Sequence, residues 1–120
     1  MRKPPLVPTK RHRAVLCVLL VGNDPAVEAI CGACVEFVGG VRMIISDVAG
    51  VSTRAAQWRP FAIIVPSSIL EFDPHEFAAL ARTVNAELVT IPLDRIADPM
   101  LRNELITSLR NAYRRRSAAK

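Results

Sequence analysis

Ala14–Val21 reads AVLCVLLV and runs directly into Gly22-Asn23-Asp24-Pro25. An unbroken apolar run of strand length, with no polar alternation, predicts a β-strand buried on both faces. Gly22 and Asn23 turn the chain. Asp24 then supplies an N-cap carboxylate, and Pro25 suits the first helical position, where a missing N–H costs nothing. Val27, Ile30, Cys31, Cys34 and Val38 follow at the spacing of one helical face, and Gly39-Gly40 ends the helix. A doubly buried strand leading into an amphipathic helix is the first half of a βαβ unit.

The pattern continues along the chain. Val41–Ser46 (VRMIIS) predicts a second strand, and residues 47–57 predict a loop and a short helix with Val51, Ala55 and Trp58 on one side, ended by Arg59-Pro60. Phe61–Val65 (FAIIV) predicts a third strand, stopped by Pro66-Ser67-Ser68. Asp73-Pro74 repeats the cap signal, with Glu76 placed to complete a capping box. Phe77, Leu80, Ala81 and Val84 form the buried stripe of that helix. Glu87–Ile91 (ELVTI) predicts a fourth strand, closed by Pro92. Asp98-Pro99 opens a last helix with Leu101, Leu105, Leu109 and Tyr113 inward, and Arg114–Arg116 lie at its C-terminus, where cations suit the helix dipole. The expected architecture is α/β: a parallel sheet of about four strands with helices on both faces.

The chain has 120 residues, 51% hydrophobic and 22% charged, which describes one globular domain and excludes a disordered chain, a collagen-like rod and a multidomain enzyme. No apolar run approaches the ~20 residues of a spanning helix. The net charge of +5 is unevenly placed. Residues 1–13 and 110–120 carry ten basic groups and no acid, whereas the stretch between them holds six arginines against all eleven acids. The reading is a basic flexible arm at 1–13, an acidic domain at 14–115 and a basic tail at 116–120. Lys10, Arg11, Arg13, Arg114, Arg115 and Arg116 are the candidates for binding a nucleic acid or another polyanion.

The sequence resembles a bacterial response-regulator receiver domain over residues 14–115. VLLVGNDPAVEAI resembles that family's first strand, acidic turn and first helix; WRPFAIIVP resembles the end of its second helix and its third strand; VTIPLD resembles its last strand and following turn. The resemblance implies a doubly wound, flavodoxin-like fold. It also implies what the chain does not do. The acidic pair that would hold Mg2+ matches Gly22 and Asn23, the phosphoacceptor position matches Pro66, and the lysine of the last turn matches Ile91. Between Val65 and Pro92 there is room for one helix and one strand where the family has two of each, and its Ser/Thr switch position falls in the missing part. Phosphoryl transfer needs a nucleophile, a divalent cation and charges that offset the developing negative charge, and these residue types supply none. The resemblance implies a pseudo-receiver: a cytoplasmic, non-enzymatic signalling adaptor that binds a protein, itself included, without phosphorylation.

Other chemistry is weak in the sequence. Cys31-Gly32-Ala33-Cys34 is a CxxC set inside a helix rather than at its N-terminus, so both thiols read as core residues. With Cys17 the cysteine count is odd, as for reduced thiols rather than a disulfide framework. Asp24 and Asp47 fall at the carboxyl edge of the sheet beside Asn23, Ser67 and Ser68, where open α/β sheets bind ligands, but each also reads as a capping or turn residue. Ser67 and Ser68 have no base in their motif, and His75 has no assigned role. No phosphate loop or GxGxxG is present, and no cofactor is implied. The loop Ser67–Phe72 brings Ile69, Leu70 and Phe72 close together as the candidate partner-binding cluster. The fourth strand, at the edge of a shortened sheet, is a template for pairing.

Overall fold

The computed structural model describes residues 16–118, with side chains to Arg116. Four strands form one sheet: β1 (Leu16–Val21), β2 (Val41–Ser46), β3 (Ala62–Pro66) and β4 (Glu87–Ile91). Five helices surround it: α1 (Pro25–Val38), α2 (Val51–Trp58), the single turn α3 (Ser67–Leu70), α4 (Pro74–Thr83) and α5 (Pro99–Ala118), the last preceded by a 3-10 turn at Leu93–Arg95. The strand order is β2-β1-β3-β4 and every pairing is parallel, a four-stranded flavodoxin-like arrangement as expected.

The strand period of two sorts the apolar residues into two cores. Val18, Leu20, Ala62, Ile64, Val89 and Ile91 face α1 and α5. Cys17, Leu19, Val21, Ile44, Ile63 and Val65 face α2 and α4. Helices α1 and α5 pack on each other through Cys31, Cys34, Leu101, Leu105 and Leu109, all buried. The Phe61 and Tyr113 rings meet edge to face, with 5.6 Å between their centres, at the end of that core where β3 begins.

All three Asp-Pro pairs open helices. Asp24 accepts from the Ala26 N–H, Asp73 from Glu76 N–H and Asp98 from Met100 N–H. The capping box at Asp73 forms only by half, because the Asp73 N–H donates to the Leu70 carbonyl instead. Three features differ from expectation. The third strand is displaced by one residue and takes in Pro66, which pairs with Ile91 at a position where β1 no longer runs alongside. The segment after it is not a loop throughout, since Ser67–Leu70 forms one helical turn. The last helix runs to Ala118, beyond the expected start of a tail at 116. The reason is Arg116, whose guanidinium is held by the fold. The arm at 1–13, with Lys10, Arg11 and Arg13, lies outside the described residues.

Candidate functional site

Every strand points the same way, so every helix N-terminus and every βα loop gathers at the carboxyl edge of the sheet. All but two of the eleven acids, Glu36 and Glu87, lie in those loops or in the first two turns of the helices that follow. Helix dipoles favour that placement, and they favour cations at the opposite edge. Arg42, Arg59, Arg82 and Arg114–Arg116 lie towards that opposite edge, where β1 begins and α5 ends. The domain is polar along its strand axis, with an acidic end and a basic end.

At the acidic end, between β1 and β3 where the chain's crossovers change face, is a cleft of about 190 Å³. Gly22, Asn23 and Pro66 line it, and buried Ile91 closes the end of β4 beside Pro66. The structure thus brings together the four positions that the receiver resemblance matched to phosphorylation residues. Gly22 holds φ +110, and its N–H donates to the Ser46 carbonyl at 2.8 Å. The positive φ favours glycine at this position, and a Cβ there would also crowd Ile69 Cδ1 at 3.0 Å. Three of the polar groups nearby are already engaged. The Asp24 carboxylate caps α1, Asp47 accepts from the Gly50 N–H at 2.8 Å, and Ser67 Oγ accepts from the Leu93 N–H. Among the described residues, no group of three or more His, Cys, Asp and Glu side chains is placed to hold a metal ion.

The three thiols are buried and unpaired. Burial, then the neighbouring Cys34 thiol, pushes Cys31 up to about 12. Burial also raises Cys17 and Cys34, against the lowering influence of nearby arginines. Thiols held this far from the thiolate are poor nucleophiles and poor metal ligands.

The larger opening at the acidic end is a groove of about 320 Å³ between α2 and α4. Val51, Ile69, Phe77 and Leu80 form its floor, and Val48 and Phe72 form its lips, 50% and 90% exposed. Asp73 and Glu76 line it as well, and Asp47 immediately precedes Val48. Asp73 raises the Glu76 carboxyl above its usual range, first through a side-chain hydrogen bond and then through like-charge repulsion. The groove therefore combines an apolar floor with the carboxylates of Asp73 and Glu76, which form no ion pair among the described residues.

The structure divides the expected Ile69–Leu70–Phe72 cluster. Ile69 and Leu70 are partly buried against the α2/α4 core, with Ile69 shared by cleft and groove, while Phe72 stands in solvent. Val48 was missed in the sequence; its signal is an apolar residue in a short βα loop that the strand and helix patterns leave unused. A third opening, between α1 and α5, exposes Phe37, but the Arg110 guanidinium lies over that ring at 5.1 Å.

The candidate tail cations are also divided. Arg116 donates to the carbonyls of Arg59, Pro60, Val84 and Asn85 at 2.8–3.2 Å, and Arg115 pairs with Glu87. Arg59 and Asn85 both adopt left-handed backbone, φ 48 and 61, so Arg116 secures two strained turns that lead into β3 and β4. Arg114 is exposed. Among the described residues no helix is long and apolar enough to cross a membrane. No protein-family model matches the chain, and no curated protein matches it in sequence.

Proposed function

We propose that this chain is a non-enzymatic adaptor of the cytoplasm, a shortened pseudo-receiver that binds a protein partner through the α2/α4 groove. The observation that carries the reading is the contrast at the acidic end. The place where a receiver would do chemistry holds Gly22, Asn23, Pro66 and Ile91, while the adjoining groove leaves Val48 and Phe72 in solvent. Large exposed apolar side chains over an apolar floor, rimmed by polar residues, mark contact surfaces. The outer edge of β4, unpaired by any strand among the described residues, offers a further route to pairing with another copy.

The test is affinity capture from the native cell extract, with and without nuclease, using the wild-type chain and Phe72→Asp. A defined partner that survives nuclease and is lost with Phe72→Asp supports the adaptor. Recovery of nucleic-acid proteins alone, abolished by nuclease and indifferent to Phe72, overturns it. That outcome would favour a second reading, polyanion binding at the basic end. Its candidate cations are Lys10, Arg11, Arg13 and Arg114, since Arg115 and Arg116 are engaged within the fold.

A further inference from the structure

We propose that the occupant of the α2/α4 groove is the segment Met1–Arg13 of a second copy of this chain, so that copies associate head to tail. The inference rests on the adaptor reading, which assigns protein binding to the same groove, and it names the partner.

Three observations lead to it. The first is complementarity. The groove has an apolar floor and is lined also by the acids Asp73 and Glu76. The segment MRKPPLVPTKRHR has the matching layout, with Leu6-Val7 at its centre, Arg2 and Lys3 on one side, Lys10, Arg11 and Arg13 on the other, and no acid. Pro4, Pro5 and Pro8 disfavour helix and favour the extended polyproline form, which loses little entropy on docking.

The second is the placement of Asp73 and Glu76 together on the groove, where Asp73 raises the Glu76 carboxyl first through a side-chain hydrogen bond and then through like charge. An arriving lysine or arginine offsets that charge, whereas a neutral or acidic segment does not.

The third is where the two features lie. The segment joins β1 at the basic end of the domain, and the groove opens at the acidic end. Extended, the residues between Val7 and β1 span about 30 Å, more than the roughly 20 Å height of the sheet. Reach alone therefore does not separate a copy's own groove from a neighbour's, and the placement of opposite charge at the two ends is what favours the neighbour. In a second copy stacked along the strand axis, the segment and the groove meet at the junction. The exposed Arg59, Arg82 and Arg114 of one copy then face the acids of the next. Such a contact is heterologous and does not close on itself, so association extends with concentration.

The experiment uses the full-length chain. Sedimentation velocity from about 1 to about 200 µM reads association by mass action, and raising salt from about 50 to about 500 mM reads its electrostatic part. Zero-length coupling of amines to carboxylates, on a mixture of isotope-labelled and unlabelled protein, reads which copy supplies each group. The expected result is association that weakens at least several-fold with salt and is lost in both Phe72→Asp and the triple variant Lys10→Glu, Arg11→Glu, Arg13→Glu. Couplings of Lys3 or Lys10 to Asp73 or Glu76 should join labelled to unlabelled chains. Couplings confined within one chain, or association indifferent to both variants, overturn the proposal. A monomer at every concentration overturns it as well. The adaptor reading survives each of those outcomes if Phe72→Asp still abolishes capture of a different protein, so the two fail separately.

Discussion

The two faces of the sheet are built differently. On one, α1 and α5 span 14 and 20 residues and pack on each other over a continuous buried layer. On the other, α2 and α4 span 8 and 10 residues, stand apart, and leave a groove that reaches the edge of the core. The same four strands serve both faces, so helix length and spacing make the difference. The long-helix face supplies stability. The short-helix face leaves Val48 and Phe72 in solvent over an apolar floor.

Mutations can break or sharpen that contrast. Leu109, fully buried between α5 and the sheet, should show the largest effect. Leu109→Ala is expected to cost about 3 kcal/mol in denaturant unfolding, as for a well-packed core leucine. Leu80→Ala, at a partly buried floor position of the groove, is expected to cost about 1 kcal/mol, because water already reaches part of that side chain. Equal losses at the two positions would mean that both faces are packed alike.

Arg116 comes next. Arg116→Ala leaves four carbonyls without their shared donor and two left-handed turns without their tether, for an expected loss of about 1–3 kcal/mol. Arg116→Lys should restore only part of it in the same unfolding measurement, since a single ammonium cannot reproduce the planar fork of donors. Full restoration would show that charge at the helix end matters and geometry does not.

A smaller effect belongs to the start of α5. Arg95 donates to Asp98 and Glu104. The Met100 N–H and then Arg95 hold Asp98 below the usual carboxylate range, and Arg95 holds Glu104 down. Carboxyls whose folded pKa is depressed add stability above their unfolded pKa, about 4, and lose it as pH falls through the folded value. Thermal unfolding followed between about pH 6 and about pH 2 should therefore fall more gently in Arg95→Met than in wild type. The effect stays small because all three groups are solvent-exposed.

The smallest expected change is at Phe72. With 90% of the residue in solvent, Phe72→Asp should leave unfolding within about 0.5 kcal/mol of wild type while abolishing binding at the groove. A marked loss of stability would show that Phe72 belongs to the core of its face.

Much of the scaffold was legible before folding because its signals are local. The apolar runs at 14–21 and 61–65, and the Asp-Pro pairs at 24–25, 73–74 and 98–99, act within a few residues of themselves. Over the described residues their elements appear within a residue of where the patterns put them. The misplacements sit where a distant partner intervenes. Pro66 joins the strand because β4 is alongside, and α5 continues past 115 because loops at 59–60 and 84–85 present carbonyls to Arg116. The Ile69–Leu70–Phe72 cluster was visible as apolar composition, but which members face the core and which face water depends on how α3 lies against β3 and α2.

The sequence by itself determined an α/β domain with helices starting at its Asp-Pro pairs, and an acidic middle between basic ends. Periodicity, capping and charge count are properties of neighbouring residues, and neighbours are what a sequence records. Only the tertiary structure decided the order β2-β1-β3-β4, the pairing of α1 with α5, the gathering of the acids at one end, and the groove whose lips are Val48 and Phe72. Those depend on residues that meet only after the chain has crossed back over itself, where packing and the common direction of the strands determine which side chains share a surface.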